Sequence, residues 1–159
     1  MIRILFVCLG NICRSPMAEA VMRHLIEREG LKDRVIVDSA GTGSWHIGKP
    51  PHAGTRRALD RRGIPWDGIR ARRITAKDLD EFDYIICMDT DNRRDVERIG
   101  RGRARVMSFM ELVGDAGSPD VPDPYYTGNF EEVYELVEKG CGELLRRIRE
   151  ELKEAPAAP

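Results

Sequence analysis

The sequence predicts an α/β protein built on a small, doubly wound, four-stranded parallel sheet with helices on both faces. Apolar runs typical of buried strands alternate along the chain with stretches whose apolar residues recur every three or four positions. Strands that alternate with helices form right-handed βαβ crossovers and therefore parallel sheets. The 159 residues are enough for one compact core. We expect one domain over residues 1–154 and a frayed tail at 155–159.

The first strand is the clearest element. Ile2–Cys8 is an apolar run rich in β-branched and aromatic residues, long enough for a buried strand. A short loop follows it, and Pro16 suits the first turn of a helix, where its missing N–H costs nothing. Apolar residues then share one helical face until Gly30 ends the segment. The first thirty residues therefore predict a strand, a tight loop and a helix.

The later segments repeat this alternation. Further strands are predicted at 34–38, 83–88 and 103–109, further helices at 53–62, 91–99 and 130–153, and loops at 40–51 and 115–129. This order corresponds to a flavodoxin-like three-layer sandwich. Gly140 and Gly142 lie inside the last helix, and each is expected to cost up to about 1 kcal/mol relative to alanine.

Composition excludes several classes of function. The 26 Lys and Arg residues against 27 Asp and Glu give a net charge of −1, so no overall charge favours nucleic acid. The apolar run Ile4–Leu9 is shorter than the roughly 20 residues of a membrane span. Four scattered cysteines form neither a CxxC pair nor a disulfide framework. We expect a cytoplasmic protein without metal, cofactor, nucleic acid or membrane as a partner.

The loop after the first strand carries the strongest chemical signal. Cys8 ends the strand, and Arg14 follows six residues later at the start of the helix. Such a turn can bind an anion through its successive backbone N–H groups and through the helix dipole. The planar guanidinium of Arg14 can bind two phosphate oxygens at once. This environment favours a thiolate, which makes Cys8 a candidate nucleophile toward phosphorus. Ser15 could donate a hydrogen bond to that sulfur.

A simpler interpretation is that Cys8 is a core residue, since cysteine is among the most buried residue types. The preceding strand, the Gly10–Asn11 turn and the Ser15–Pro16 helix start favour the anion site instead. The remaining residues of the predicted phosphate-binding loop are Leu9, Gly10, Asn11, Ile12, Cys13 and Ser15.

Val7–Glu19 closely resembles the signature of the low-molecular-weight protein tyrosine phosphatases. The resemblance continues through Val37–Gly41, Phe82–Asp89 and Asp123–Tyr126, and so covers nearly the whole chain. It implies a four-stranded parallel sheet and hydrolysis through a phosphocysteine.

By this resemblance, Cys8 is the nucleophile, Arg14 is the phosphate clamp, and Asn11 and Ser15 support the loop. Ser39 matches a serine that steadies the loop asparagine in the family. Vertebrate members carry histidines around the segment that here reads 62–68, and none is present. The sequence therefore identifies no side chain that supports Asn11 from that segment.

Hydrolysis of a phosphate ester also needs a proton for the departing oxygen. Asp123 lies in a stretch without lysine or arginine, next to Pro124. On the residues alone, an ordinary Asp-Pro turn is the simpler interpretation. The resemblance makes Asp123 the general acid, ahead of Asp120 and Asp115.

The resemblance also implies an aromatic substrate rim formed by Trp45, Tyr125 and Tyr126. A phenyl phosphate could stack between such rings. We therefore expect a monomeric, metal-independent protein-tyrosine phosphatase that acts on tyrosine-phosphorylated proteins.

Two alternative activities stay open on this fold. Protein-arginine phosphatases resemble this loop but carry threonine where this chain has Ile12. Thioredoxin-coupled arsenate reductases need two further cysteines near the end of the third strand, where only Cys87 is present.

Two other features lead to separate hypotheses. Cys13, five residues from Cys8, could form a reversible disulfide that protects the nucleophile from over-oxidation. The stretch from His52 to Arg73 contains seven arginines but only two aspartates, which makes it a basic patch. We interpret it first as a solvated helix face, and second as a surface that attracts acidic phosphoproteins.

Overall fold

The structure is a computed structural model that describes residues 1–114 and 118–154. Its four strands are all parallel and lie in the order β2–β1–β3–β4. The strands are β1 (Ile2–Cys8), β2 (Val35–Gly41), β3 (Tyr84–Cys87) and β4 (Arg105–Ser108). The chain moves from β1 outward to β2 and then crosses to β3 on the other side. The predicted doubly wound parallel sheet is therefore confirmed.

Helical segments connect and cover the strands. Over the described residues they are α1 (Arg14–Arg28), α2 (Ala53–Asp60), α3 (Asp78–Glu81), α4 (Thr90–Ile99), α5 (Met110–Val113), α6 (Pro124–Thr127) and α7 (Phe130–Glu154). The four longer helices match the predicted ones to within two residues at each end.

The two faces of the sheet bury separate apolar cores. Ile4 and Phe6 of β1 are fully buried on the face covered by α1 and α7. Leu5 and Val7 are fully buried on the other face, in a cluster with Val96 of α4. Successive side chains of a strand point to opposite faces, so a strand buried on both faces is apolar at every position. This explains why β1 was recognisable from its apolar run Ile4–Cys8, which is buried at every position, whereas Arg3 near the start of the strand is exposed.

Three short helices were not predicted from the sequence. α3, α5 and α6 are single turns of four residues, and α6 lies inside the predicted loop 115–129. A single turn is too short to show helical periodicity, and α6 is held by a capping side chain instead. The predicted frayed tail at 155–159 lies outside the described residues.

The two glycines of α7 differ in their surroundings. A Cβ on Gly140 would lie 2.3 Å from the Phe109 ring, whereas a Cβ on Gly142 would meet nothing within 4 Å. Gly140 therefore lets α7 approach Phe109 closely, while Gly142 has no packing role.

Candidate active site

The candidate site lies at the carboxyl end of β1, where the direction of strand addition reverses. Ligands of doubly wound sheets bind at this position. The N–H groups of Thr42 and Gly43 donate to the carbonyls of Cys8 and Leu9 over 3.0 and 2.9 Å. The loop that follows β2 therefore anchors the start of the loop that joins β1 to α1.

Hydrogen-bond donors surround the Cys8 sulfur. Cys8 is only 2% exposed, and its Sγ lies 2.9 Å from the Ser15 hydroxyl oxygen. The Asn11 backbone N–H donates to the same sulfur over 3.3 Å. Asn11 adopts a left-handed backbone with φ 55°, which turns its N–H toward the sulfur side of the loop. These donors stabilise negative charge on the Cys8 sulfur.

The Asn11 side chain connects three parts of the fold. Its Nδ2 donates to the hydroxyls of Ser15 and Ser39 over 2.8 and 2.9 Å. Its Oδ1 accepts from the backbone N–H of Arg72 over 2.9 Å. A backbone N–H therefore supports Asn11. It lies four residues beyond the segment 62–68, where this chain has no histidine. The sequence could not show this contact, since any residue supplies a backbone N–H.

Glu19 extends the same network into the interior. The Ser39 hydroxyl donates to Glu19 Oε1 over 2.7 Å, and Arg23 donates to Oε2 over 3.1 Å. Burial raises the pKa of Glu19, and the hydrogen bonds from Ser39 and Arg23 act against this shift. Glu19 was not predicted from the sequence to be part of the site.

Arg14 is a buried cation held between two carboxylates. The guanidinium is 2% exposed, and Nη1 donates to Asp89 over 2.7 Å and to the Val121 carbonyl over 3.0 Å. Nη2 donates to Asp123 over 3.4 Å. Burial alone would lower the pKa of Arg14, but the nearby Cys8 and Asp89 outweigh it and the pKa is raised. The guanidinium therefore stays charged.

One donor of Arg14 is left for a ligand. Its Nε is buried and has no hydrogen-bond partner within residues 1–114 and 118–154. A buried charged donor without an acceptor is costly, so native proteins satisfy such groups. A bound phosphate oxygen would supply the acceptor that the guanidinium lacks.

The sequence position of Asp123 explains its orientation. Asp123 is the N-cap of α6: its Oδ1 accepts from the Tyr125 N–H over 3.1 Å, and Pro124 occupies the first helical position. The other oxygen faces Arg14. Asp120 Oδ1 instead accepts from the N–H and the hydroxyl of Thr90, each over 2.8 Å, so this carboxylate is directed at the start of α4. Asp115 lies outside the described residues.

These groups line a pocket of about 340 Å³. Cys8, Arg14 and Asp123 all border it, together with the predicted loop residues Leu9, Gly10, Ile12 and Cys13 and the predicted rim residues Trp45, Tyr125 and Tyr126. The three rim side chains are exposed by 67%, 52% and 75%, so their rings are available to a substrate. Asn11, Ser15 and Ser39 lie behind the pocket as the hydrogen-bonding support described above.

Sequence reasoning missed one rim residue, His46. Its ring lies in the pocket wall, 6.3 Å from the Tyr125 ring. A lone histidine in a glycine-rich loop carries no motif that could have indicated this role.

Burial raises the pKa of three thiols, those of Cys13, Cys87 and Cys141. Burial, with a smaller contribution from Cys8 and Asp123, raises the pKa of Cys13 to about 12. Cys13 is therefore a neutral thiol at neutral pH. Cys87 and Cys141 are fully buried and belong to the apolar cores.

The described residues contain neither a candidate metal cluster nor a helix suited to cross a membrane. No group of three or more histidine, cysteine or acidic side chains in 1–114 and 118–154 is placed to hold a metal ion. No helix in these ranges combines the length and apolar character that crossing a membrane requires.

Comparison with known proteins gives consistent matches over almost the full length. The model of the low molecular weight phosphotyrosine protein phosphatase family matches residues 3–154. The low molecular weight protein-tyrosine-phosphatase YfkJ of Bacillus subtilis is 51% identical over 153 residues, which cover 95% of this chain and 98% of the relative. PtpA of Staphylococcus aureus, which carries the same description, is 44% identical over 149 residues, covering 93% and 94%.

Solved structures agree with these matches. The crystal structure of YfkJ superposes with a TM-score of 0.92 and covers 95% of this chain and 96% of that chain. A low molecular weight protein tyrosine phosphatase from Streptococcus pyogenes is 39% identical, with a TM-score of 0.83 and coverage of 97% and 99%. The Drosophila arginine phosphatase DARP is 32% identical, with a TM-score of 0.85 and coverage of 92% and 97%.

Proposed function

The chain belongs to the low molecular weight phosphotyrosine protein phosphatase family, and from this premise we propose how its own residues carry out the reaction. It is a protein-tyrosine phosphatase, a hydrolase whose Cys8 and Arg14 occupy the family's phosphate-binding loop and whose reaction proceeds through a phosphocysteine. The observation that carries the proposal is the convergence of Cys8, Arg14 and Asp123 on one pocket, with Arg14 Nε left without an acceptor among the described residues.

In the first step, the Cys8 thiolate attacks phosphorus. Asp123, a carboxylate beside Arg14 in the free enzyme, takes up a proton from water when the substrate phosphate displaces it from the guanidinium. The S–P bond forms as the bond from phosphorus to the tyrosine oxygen breaks, and Asp123 gives this proton to that oxygen. Arg14 and the loop N–H groups stabilise the equatorial oxygens. The phosphate takes over donors of Arg14, which releases Asp123 from its 3.4 Å contact so that it can reach the leaving oxygen.

In the second step, water attacks the phosphocysteine. Asp123, now a carboxylate, accepts a proton from the water as the new P–O bond forms and the P–S bond breaks. The Ser15 hydroxyl, 2.9 Å from the sulfur, donates to the departing thiolate. Free phosphate leaves, and Cys8 and Asp123 return to their starting states.

The pocket walls suit an aromatic ester. Trp45 and Tyr125 offer ring surfaces to the phenyl group, and Ile12, 8% exposed, adds an apolar wall behind them. We assign tyrosine-phosphorylated proteins as substrates. We further propose that residues 1–154 act as one monomeric phosphatase domain in the cytoplasm.

The two alternative activities differ in their support. Phosphoarginine hydrolysis has one observation in its favour, the similarity to a protein described as an arginine phosphatase. The apolar Ile12 wall favours the aromatic ester over the charged guanidino group. An arsenate reductase relay would need reactive second thiols, yet burial raises the pKa of Cys87 to about 12.

The test compares rates on phosphotyrosine, phosphoarginine and phosphoserine peptides of otherwise equal sequence. We expect the highest kcat/KM on phosphotyrosine, and a higher value on phosphoarginine would overturn the substrate assignment. Cys8→Ser should abolish hydrolysis of p-nitrophenyl phosphate. Asp123→Asn should lower kcat by about 10²–10⁴-fold on phenyl phosphate, and less on the better leaving group p-nitrophenol.

Asp120→Asn serves as the matched control because its carboxylate binds Thr90 and not Arg14. It should keep kcat near that of the wild type. If Asp120→Asn loses as much activity as Asp123→Asn, the assignment of the general acid is wrong.

A further inference from the structure

A second groove of about 570 Å³ adjoins the catalytic pocket. Leu9 and Trp45 line both cavities, so the two share a wall. The rest of the groove is formed by the loop after β2, by residues 73–76 and by the outer side of α4. None of the proposed catalytic residues lines it.

Gly43 sets the position of the shared wall. A Cβ at Gly43 would lie 1.9 Å from the Trp45 ring, so the ring rests directly on the glycine backbone. The indole is nevertheless 67% exposed. It therefore presents accessible apolar surface on the rim between the pocket and the groove.

Arg73 gives the groove a positive charge. Gly41 donates its N–H to the Arg72 carbonyl and accepts from the Ile74 N–H, over 2.8 and 2.9 Å, which fixes the backbone on either side of Arg73. The Arg73 side chain is exposed, and it forms no ion pair with any carboxylate in the described part of the chain. Asp95, the one acid among the described residues that line the groove, pairs with Arg98 over 3.1 Å.

Other arginines of the basic patch are neutralised within the protein. Arg61 and Arg62 both pair with Glu131, over 2.6 and 2.7 Å. Arg72 pairs with Asp38 and Asp78. This part of the patch is therefore structural, whereas Arg73 presents its charge to a groove beside the pocket.

We propose that this groove binds an acidic side chain of the substrate protein that flanks its phosphotyrosine. The proposal rests on the proposed function, since it needs a phosphotyrosine in the adjoining pocket. An extended chain advances about 3.3 Å per residue, so residues next to the phosphotyrosine must leave the pocket across its rim. Trp45 and Leu9 form the part of the rim that leads into the groove, and Arg73 supplies the charge that a carboxylate would pair with there.

The test uses phosphotyrosine peptides that differ only in the flanking residues, which are glutamate, glutamine or lysine. The wild type should hydrolyse the glutamate peptide with a kcat/KM about two- to fivefold above the glutamine peptide, the range of an exposed ion pair. The preference should shrink as the salt concentration rises to about 0.5 M, because salt screens exposed charges. Arg73→Gln should abolish the preference, and Arg73→Glu should reverse it toward lysine.

Arg34→Glu is the matched control. Arg34 is exposed and immediately precedes β2, at the end of the sheet opposite the pocket, so this variant makes the same charge change far from the groove. It should keep the wild-type preference. A preference that persists in Arg73→Gln, or that disappears equally in Arg34→Glu, overturns the proposal.

Hydrolysis of p-nitrophenyl phosphate separates this proposal from the proposed function. That small ester does not reach the groove, so the Arg73 variants should hydrolyse it at the wild-type rate. An equal loss on this ester would mean that Arg73 acts by supporting the neighbouring Arg72–Asn11 contact, which overturns the groove assignment. A wild-type enzyme that hydrolyses no phosphotyrosine peptide would overturn the proposed function itself.

Discussion

Arg14 and Asp89 form a short ion pair, 2.7 Å between Nη1 and Oδ2, that connects the phosphate-binding loop to helix α4. The other oxygen of Asp89 accepts from the Asn92 N–H over 2.7 Å and thereby caps α4. One carboxylate thus performs two tasks: it orients the phosphate clamp and it begins a helix. The orientation of Arg14 is therefore fixed from the β3 side of the sheet before any substrate binds.

We predict that Asp89→Asn separates these two tasks. Asparagine still caps a helix but lacks the charge that orients Arg14. A displaced clamp should lower kcat/KM for p-nitrophenyl phosphate by about 10²-fold. Asp89→Ala should lose activity similarly and also unfold more easily than Asp89→Asn, by about 1 kcal/mol, because it loses the cap. Wild-type kcat/KM in Asp89→Asn would contradict this role.

A second prediction concerns the left-handed backbone of Asn11. Asn11→Gly and Asn11→Ala both remove the three side-chain hydrogen bonds, and both should lower kcat. A backbone φ of 55° is strained for alanine but not for glycine. The alanine variant should therefore be less stable than the glycine variant by about 1–2 kcal/mol. Urea unfolding of the two variants measures the difference. Equal stabilities would mean that the loop relaxes out of this conformation at no cost.

A third prediction uses the two glycines of α7 as a matched pair. Gly140→Ala would place a Cβ 2.3 Å from the Phe109 ring and should destabilise the protein by about 1–3 kcal/mol. Gly142→Ala meets open space and should stabilise the protein by about 0.5–1 kcal/mol through helix propensity. Chemical denaturation gives both values. A change of the same sign in the two variants would refute the packing argument.

A fourth prediction concerns the dependence of stability on pH. His52 Nδ1 accepts from the Gly54 N–H over 3.0 Å, which requires an unprotonated nitrogen. Burial, and then the nearby Arg57 and Arg56, lower the pKa of His52 below 6.5 in the folded state. At a pH between the folded and unfolded pKa values of His52, the unfolded chain binds more protons than the folded one. The free energy of unfolding therefore falls as the pH drops below 6.5, and it levels off below the pKa of His52 in the folded state.

His52→Asn tests this mechanism, because asparagine keeps a capping oxygen but does not titrate. The free energy of unfolding, measured from about pH 7.5 down to about pH 5, should fall less steeply in this variant than in the wild type. Identical slopes would assign the pH dependence to other groups.

The sequence alone determined the sheet, its long helices and the position of the nucleophile. From Ile4 to Cys8, β1 is buried on both faces and therefore apolar at every position. The buried residues of α7 recur every three to four positions, so the sequence indicated which face of that helix is buried. Cys8, Arg14 and the loop between them lie within seven consecutive residues, so their proximity follows from the turn itself. The proposed general acid was less evident from the sequence, since only the family resemblance distinguished Asp123 from an ordinary Asp-Pro turn.

Tertiary structure decided which distant residues complete the site. Asp89 orients Arg14 from 75 residues away, and the backbone of Arg72 supports Asn11 from 61 residues away. Gly140 meets Phe109, and His46 joins the rim, only in the folded chain. A parallel sheet brings the carboxyl ends of strands that are remote in sequence to one edge. Periodicity and spacing report local geometry, whereas these contacts depend on how the connections after β1, β2 and β3 converge at that edge.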